Sequence, residues 1–254
     1  MRILSFFCLS LLLLACSSDA DSWLQEAKSR LQKGETVSAK EAIKKALEKN
    51  PGLAEAYNLQ GVIAFQEKSW DEARTNYQKA IELKPSLYSA QMNLGALEME
   101  QGIWAKALAP TEAAIKLQPD SSAAYLQHGI VQAALGKPDA AIADFTLSIS
   151  KNAKEINALY NRGNIYFQQE KYALANQDFE ASVQIDPNFG KGFYAMGLSY
   201  YKVNEKEKAC FALQQAQKLS EVTHGYKRSL RSKSRRYSYC RTRHRNNGLV
   251  WQKP

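Results

Sequence analysis

The stretch AIELKPSLYSAQMNLG at residues 80–95 recurs in altered form later in the chain, as AIKLQPDSSAAYLQHG at 114–129 and as SVQIDPNFGKGFYAMG at 182–197. Each copy places an apolar residue and a proline at fixed distances before a glycine. The prolines fall on a 34-residue lattice with one gap, at Ala153, and they are Pro51, Pro85, Pro119 and Pro187. A fixed period of this length predicts a repeat architecture in which each repeat is one supersecondary unit.

Small residues keep the same period at two further positions. The first set is Ala27, Gly61, Gly95, Gly129, Gly163 and Gly197, and the second is Ala39, Ala73, Ala107, Ala141, Ala175 and Ala209. Larger side chains come four residues after the second set: Ile43, Tyr77, Thr111, Phe145, Phe179 and Leu213. Glycine inside a helix costs about 1 kcal/mol relative to alanine. Its recurrence therefore predicts pairs of helices that approach closely, with the larger residues filling the space between them.

This pattern resembles the tetratricopeptide repeat family over residues 20–223. The resemblance implies an all-α fold, a right-handed α-solenoid of about six stacked helix–turn–helix hairpins. The regular lattice disfavours the alternative, a globular helical bundle without repeats. Proline cannot continue a helix, so it should end each second helix, and we expect Asp71, Ser122 and Asp139 to cap helices. The predicted units are 20–53, 54–87, 88–121, 122–155, 156–189 and 190–223, within a solenoid domain at 16–223.

The N-terminus, MRILSFFCLSLLLLACSS, has the form of an export signal. Arg2 precedes an apolar run that is too short to span a bilayer. The run ends in Leu13-Leu14-Ala15-Cys16, which resembles the bacterial lipobox. That resemblance implies a signal peptide at 1–15 and a mature N-terminus at Cys16 carrying acyl chains such as palmitate. Ser17 by the same resemblance favours the outer membrane, facing the periplasm, and an ordinary cleaved signal or an uncleaved anchor is the alternative.

The formal net charge of +9 comes from the C-terminal end of the chain. Residues 224–254 hold ten Lys or Arg and no Asp or Glu, whereas the rest of the chain is close to neutral. High charge and low hydrophobicity predict that this segment is disordered. It is either a polybasic arm for anionic lipid, glycolipid phosphate or nucleic acid, or an atypical chain end that replaces a capping helix. We disfavour nucleic acid as a partner because an exported protein rarely meets it.

Catalytic and metal-binding patterns are missing from the sequence. The four cysteines form no CxxC, the three histidines do not cluster, and no HExxH, nucleophile elbow or phosphate loop occurs. We therefore expect no enzyme activity, no cofactor and no metal. A disulfide between Cys210 and Cys240 would require an oxidising compartment.

A binding groove is the better functional hypothesis, since first helices of stacked units line one side of a solenoid. The family resemblance places contact residues at the fifth, ninth and twelfth positions of each unit, which share one helical face. The middle units offer an adaptable Met-containing lining, and the last two offer tyrosines with Asn amides. The family's carboxylate-clamp pattern is only partly present, so a chaperone C-terminus is not expected as the ligand. The candidate groove residues are Asn58, Met92, Met99, Leu126, Tyr160, Asn161, Asn164, Tyr194 and Tyr201.

These patterns together predict an exported, non-catalytic scaffold that binds protein or peptide partners in the cell envelope. The lipidated Cys16 is predicted to anchor this scaffold to the membrane. The alternatives are a structural or polyvalent interaction protein without a defined groove ligand, and an envelope hydrolase.

Overall fold

The computed structural model describes residues 19–222, and every regular element in that range is an α-helix. The predicted signal peptide, Cys16, Cys240 and the basic segment at 224–254 lie outside the described residues. The helices are α1 (19–32), α2 (Thr36–Lys49), α3 (Ala54–Gln66), α4 (Trp70–Leu83), α5 (Tyr88–Glu100), α6 (Trp104–Leu117), α7 (Ser122–Ala134), α8 (Pro138–Lys151), α9 (Ile156–Gln168), α10 (Tyr172–Ile185), α11 (Gly190–Lys202) and α12 (Lys206–Val222).

The helix bounds repeat with the period of the sequence. The odd-numbered helices from α3 to α11 each have 13 residues. The even-numbered helices from α2 to α10 each have 14. Each helix of these two series begins 34 residues after the previous member of its series. The predicted all-α fold of repeated helical hairpins is therefore confirmed.

The turn inside each hairpin depends on one residue in the left-handed region. These residues have φ between 59° and 76°, and they are again spaced by 34 positions: Gly34, Lys68, Gly102, Gly136, Glu170 and Asn204. Glycine adopts this conformation without steric cost, whereas Lys68 and Glu170 carry a Cβ that opposes it. The sequence pattern used above did not include this position, although its three glycines lie on the same lattice.

The prolines end the second helix of a hairpin, as expected. Helices α2, α4, α6 and α10 each stop two residues before a lattice proline. Helix α8 stops at the same distance before Ala153, so a proline is not required for a helix to end at this position of the repeat. Where Glu221 replaces the proline, α12 continues to Val222 and reaches 17 residues. The lattice proline therefore contributes to ending the second helix, but the helix can end at the same position without it.

Close helix approach at the lattice glycines is confirmed by the packing. A Cβ added to Gly61 would lie 2.5 Å from Tyr77 Cδ1, and one added to Gly163 would lie 2.8 Å from Phe179 Cε1. Gly95 stands in the same relation to Thr111, and Gly197 to Leu213. The rings of Tyr77 and Phe179 are almost fully buried. Each glycine therefore makes room for the large side chain that joins the two helices of its hairpin.

The described chain divides into two compact units at Ala141, within α8. In the first unit α1 packs on α2 through a core that includes Leu24 and Ile43, and the following helices contact their neighbours in order up to α7. In the second unit α9, α10, α11 and α12 also contact in order, around a core that includes Phe179 and Tyr200. Both units are built by the same stacking of hairpins.

The predicted helix caps need correction. Ser121, and not Ser122, is the N-cap of α7, because its Oγ accepts a hydrogen bond from the Ala124 N–H at 3.2 Å. Asp71 lies inside the first turn of α4 and binds Arg74. Asp139 likewise lies in the first turn of α8. The expected residue types are thus near the helix starts, but the residue spacing alone did not fix which one is the cap.

Candidate partner-binding faces

First helices of neighbouring hairpins lie against each other in both units. Helix α3 contacts α5 and α5 contacts α7 in the first unit, and α9 contacts α11 in the second. Each unit therefore presents a face made of successive first helices. We refer to the α3–α5–α7 face of the first unit and the α9–α11 face of the second, and we describe each by itself.

The α3–α5–α7 face is largely apolar. Met92, Met99 and Leu126 are half-buried, so each keeps part of its side chain accessible. Phe65 forms an edge-on ring contact with Trp70, with centroids 5.3 Å apart. Flexible thioethers and small aliphatic groups give this face a surface that can adapt to apolar side chains of differing shape.

Asn58 is a poor candidate for partner contact. Its side chain is buried, with 7% of the residue exposed. Its Oδ1 accepts a hydrogen bond from Asn93 Nδ2 at 2.9 Å, and its Nδ2 points to Ser89 Oγ at 3.5 Å. The amide therefore joins α3 to α5, since a buried polar group needs a partner inside the protein. The helical position was expected to face outward, but the close approach of α5 covers it.

The α9–α11 face combines tyrosines with amides. Tyr160 is half-buried and forms an edge-on contact with Phe189, with centroids 5.3 Å apart. Tyr194 is half-buried, and Tyr201 is 53% exposed. Asn161 and Asn164 are half-buried. This face offers aromatic area together with hydrogen-bonding groups, which suits a peptide ligand.

The charges of the α9–α11 face have one sign. Neither helix contains Asp or Glu. Arg162 of α9 is occupied by Asp178, with two hydrogen bonds of 2.7 and 2.9 Å, and it also binds Thr146. The hydrogen bonds from Arg162 to Asp178 raise the pKa of the guanidinium above its ordinary value. Lys191 and Lys202 are exposed and form no ion pair with any residue between 19 and 222.

Sequence reasoning missed part of this surface. Lys202 and Asn157 are exposed on the α9–α11 face but do not fall at the fifth, ninth or twelfth position of a unit. Asn157 occupies the second position of its unit, and Lys202 occupies the thirteenth position of the next unit. Within one unit these two positions are eleven residues apart, which is close to three full helical turns, so they share a side of the first helix. This spacing was the signal that could have found them.

Two shallow clefts lie on the first unit. One, of about 490 Å³, lies among α4, α5 and α6 and is lined by Ile81, Gln91, Leu94, Pro110 and their neighbours. The other, of about 530 Å³, follows the turn at residues 118–123. In residues 19–222 no group of three or more His, Cys, Asp or Glu is arranged to hold a metal ion. A search of the same residues finds no helix with the length and apolar character needed to cross a bilayer.

Stacked pairs of antiparallel helices with this period define a helical-repeat scaffold. The profile described as Tetratricopeptide repeat matches residues 24–88 and 69–122, and a second profile of the same description matches 156–189. The chain belongs to the tetratricopeptide repeat family, whose members generally act as non-catalytic scaffolds for protein–protein interaction.

Solved structures agree with this fold. Pseudomonas aeruginosa PilF has a TM-score of 0.74 and 21% identity, covering 83% of this chain and 95% of PilF. A MamA protein has a TM-score of 0.62 and 22% identity, covering 69% and 96%. YrrB, described as a protein with an unusual peptide-binding site, has a TM-score of 0.61 and 22% identity, covering 76% and 98%. No curated protein matches the chain in sequence.

Proposed function

We propose that this chain is an exported, lipid-anchored scaffold that captures a protein or peptide partner in the bacterial cell envelope. The observation that carries the proposal is the pair of accessible first-helix faces, α3–α5–α7 and α9–α11, described above. Each collects accessible apolar, aromatic or amide side chains from successive helices. The peptide-binding site of YrrB, a protein of similar fold, supports the choice of a peptide as ligand.

The lipid anchor is proposed from the N-terminal sequence. Cys16 follows a short apolar run that ends in Leu13-Leu14-Ala15, and α1 begins by residue 19. Acylation would therefore hold the first hairpin close to a membrane surface. Each buried methylene of an acyl chain contributes about 0.8 kcal/mol, so two or more chains give durable attachment. We propose the outer membrane, facing the periplasm, as the location.

The anchor is tested by replacing Cys16. Wild-type protein should incorporate labelled palmitate and sediment with membranes, whereas Cys16→Ser should do neither. A matched variant, Cys8→Ser, removes a thiol from the apolar run and should leave labelling unchanged. Equal labelling of Cys16→Ser and wild type would exclude this attachment site.

The capture function is tested by affinity purification from envelope extract. We expect one stoichiometric partner on the wild-type protein and a loss of at least tenfold on the triple variant Tyr160→Ala, Asn164→Ala and Tyr194→Ala. Leu174→Ala and Leu147→Ala are matched controls, since both leucines are 41% exposed but lie on second helices. Capture that is equal on the triple variant would contradict the assignment, and many substoichiometric partners would favour a polyvalent structural protein.

A further inference from the structure

Cys210 of α12 is joined to another cysteine by a disulfide bond. The sequence has no other cysteine between residues 19 and 222, so the partner is Cys8, Cys16 or Cys240. Cys8 belongs to the predicted signal peptide, and Cys16 is the proposed site of acylation. Cys240 is therefore the partner that remains available in the mature chain.

Cys210 occupies a repeat position that reaches toward the following hairpin. The equivalent residues, spaced by 34 positions, are Arg74, Leu108, Ile142 and Asn176. Arg74 on α4 extends to α5, the first helix of the next hairpin, where its Nε donates to Glu98 Oε1 at 2.7 Å. Within residues 19–222 no helix follows α12. The thiol position of Cys210 therefore faces the place where a further first helix would pack.

The side of α12 that carries Cys210 is accessible. Cys210, Gln214 and Gln217 are separated by four and three residues, so they share one side of the helix. Gln214 and Gln217 are exposed, and Phe211, next to Cys210, is 52% exposed. We call the surface formed by these four residues the α12 open face.

The open face differs from its counterparts inside the array. Gln217 is the equivalent of three half-buried isoleucines and one buried valine, which are Ile81, Ile115, Ile149 and Val183. A polar residue at this position suits a helix on which no further hairpin stacks. The face nevertheless keeps the large ring of Phe211 beside the disulfide, and this ring offers apolar area to a segment of chain that passes over it.

The spacing of the two cysteines determines the path of the chain between them. Twelve residues lead from Cys210 to the end of α12 at Val222, which is about 18 Å of helix. Eighteen further residues lead to Cys240, and an extended chain of that length spans about 60 Å. The chain is therefore long enough to reverse after Val222. A bond to Cys210 requires it to run back along α12 by the same 18 Å or so, about three turns.

We propose that Cys210 and Cys240 form a disulfide that holds residues 223–240 against the α12 open face. The returning segment covers Gln214 and Gln217, at the place where a further hairpin would stack. The bond also keeps six basic residues, between positions 227 and 236, beside the end of the second unit. This inference goes beyond the proposed function and shares with it only the export of the chain.

Formation of this bond is an oxidation of two thiols. Each Sγ–H loses one proton and one electron, and a single Sγ–Sγ bond forms. The two electrons and two protons pass to the disulfide of a thiol–disulfide oxidoreductase, which becomes a dithiol. The bacterial periplasm is an oxidising compartment in which such bonds persist, whereas the cytosol keeps thiols reduced. The bond is therefore expected on the exported protein.

Peptide mapping of the full-length protein tests the pairing. The protein is purified from the envelope after its free thiols have been alkylated, and it is digested with trypsin without reduction. We expect residues 209–218, ACFALQQAQK, linked to residues 237–241, YSYCR, and we expect the link to disappear on reduction. Alkylated Cys210, or a link between the Cys210 residues of two copies, would overturn the pairing.

Hydrogen exchange tests whether the segment rests on α12. A disulfide that closes a loop left unstructured in the folded state constrains folded and unfolded chains alike, so it protects little. If the segment contacts the open face, amides of residues 211–222 should exchange at least tenfold faster in Cys240→Ser than in wild type, with α10 unchanged. A reductant should reproduce this effect on wild type and have none on Cys240→Ser. Ser238→Ala is the matched control and should exchange like wild type.

Equal exchange in wild type and Cys240→Ser would overturn the inference even if the bond forms, because the segment would then be tethered without contacting α12. The proposed function is measured separately, by palmitate labelling at Cys16 and by partner capture. A protein that keeps both of these properties but has reduced Cys210 would leave the scaffold function standing and remove this inference alone.

Discussion

The ring of Tyr77 on α4 occupies the space that a side chain on Gly61 of α3 would need. A Cβ at Gly61 would come within 2.5 Å of two ring carbons, and Tyr77 is 2% exposed. Burial raises the pKa of Tyr77 to about 12, as expected for a hydroxyl that is costly to ionise inside a protein. This contact joins the two helices of one hairpin, and its counterpart between Gly163 and Phe179 does the same in the second unit.

Gly61→Ala should therefore destabilise the protein, although alanine favours helix. Overpacking costs about 1–3 kcal/mol, and the helix propensity returns about 1 kcal/mol. Because the added Cβ would lie only 2.5 Å from the ring, the overpacking cost falls at the upper end of that range, and we expect the free energy of unfolding to fall by about 2 kcal/mol, measured by urea denaturation. Replacing the ring by a smaller side chain, in Tyr77→Leu, should relieve the clash. Gly61→Ala should then lower the free energy of unfolding less in the Tyr77→Leu background than in the wild-type background. An equal cost in both backgrounds would show that the ring is not responsible.

Lys68→Gly should stabilise the protein. Lys68 has φ of 60° in the turn between α3 and α4, a conformation that costs a residue with a Cβ about 1 kcal/mol or more. We expect a gain of about 1 kcal/mol in the free energy of unfolding and a similar gain for Glu170→Gly. Gly102→Ala is the converse variant at the equivalent position, and it should destabilise. A loss of stability in Lys68→Gly would mean that the lysine side chain contributes more than its backbone strain costs.

Arg74→Ala should lower the free energy of unfolding substantially, because it removes the partner of a buried carboxylate in the first unit. Arg74 Nε donates to Glu98 Oε1 at 2.7 Å, and the Glu98 side chain is 3% exposed. Removing one partner of a buried ion pair leaves an uncompensated charge and costs about 3–5 kcal/mol. We expect about 2–4 kcal/mol here, because Arg74 itself is 17% exposed.

Arg30→Ala provides the matched control for that measurement. Arg30 also binds two carboxylates, Glu26 and Glu35, but all three side chains are about 40% exposed. Solvated ion pairs of this kind contribute little to stability. A loss from Arg30→Ala as large as that from Arg74→Ala would show that burial of Glu98 is not the cause.

Lys84→Ala should raise the pKa of Glu55. Burial favours the protonated form of Glu55, but its hydrogen bond from Lys84 Nζ, 2.7 Å long, and other favourable interactions outweigh it, so the pKa lies below the usual 4.5. A lowered pKa stabilises the folded state above about pH 4.5, and this contribution disappears as the pH falls through the folded-state value. An NMR titration of Glu55 that gives the same pKa in Lys84→Ala and wild type would contradict the assignment.

Much of the fold could be read from the sequence because its determinants are local and recur. Gly61 and Tyr77 are sixteen residues apart within one hairpin, and the lattice prolines act on their own helix ends. The left-handed turn residue escaped notice because Lys68 and Glu170 replace glycine there, and nothing in their side chains predicts a positive φ. The helix stop before Ala153 shows that the repeat geometry persists where its sequence signal is missing.

The binding faces were harder to predict because exposure is a property of neighbouring helices. Asn58 has the spacing of a contact residue, yet α5 covers it and uses its amide. Lys202 lies outside the expected positions, yet it is exposed at the end of the same face. A helical period predicts which residues share a side of one helix. It does not predict how much of that side the next helix buries.

The most direct test of the central claim, that the first-helix faces hold the partner, is site-specific photocrosslinking in intact cells. A photoreactive phenylalanine placed at Met92 or Tyr194 probes the two first-helix faces, and the same residue at Leu147 or Leu174 probes second helices at side chains that are more exposed than Met92 and Tyr194. We predict a discrete crosslinked partner from Met92 and Tyr194, and none from the two leucine positions. Crosslinks of equal yield from the second helices, or none from the first, would contradict the account.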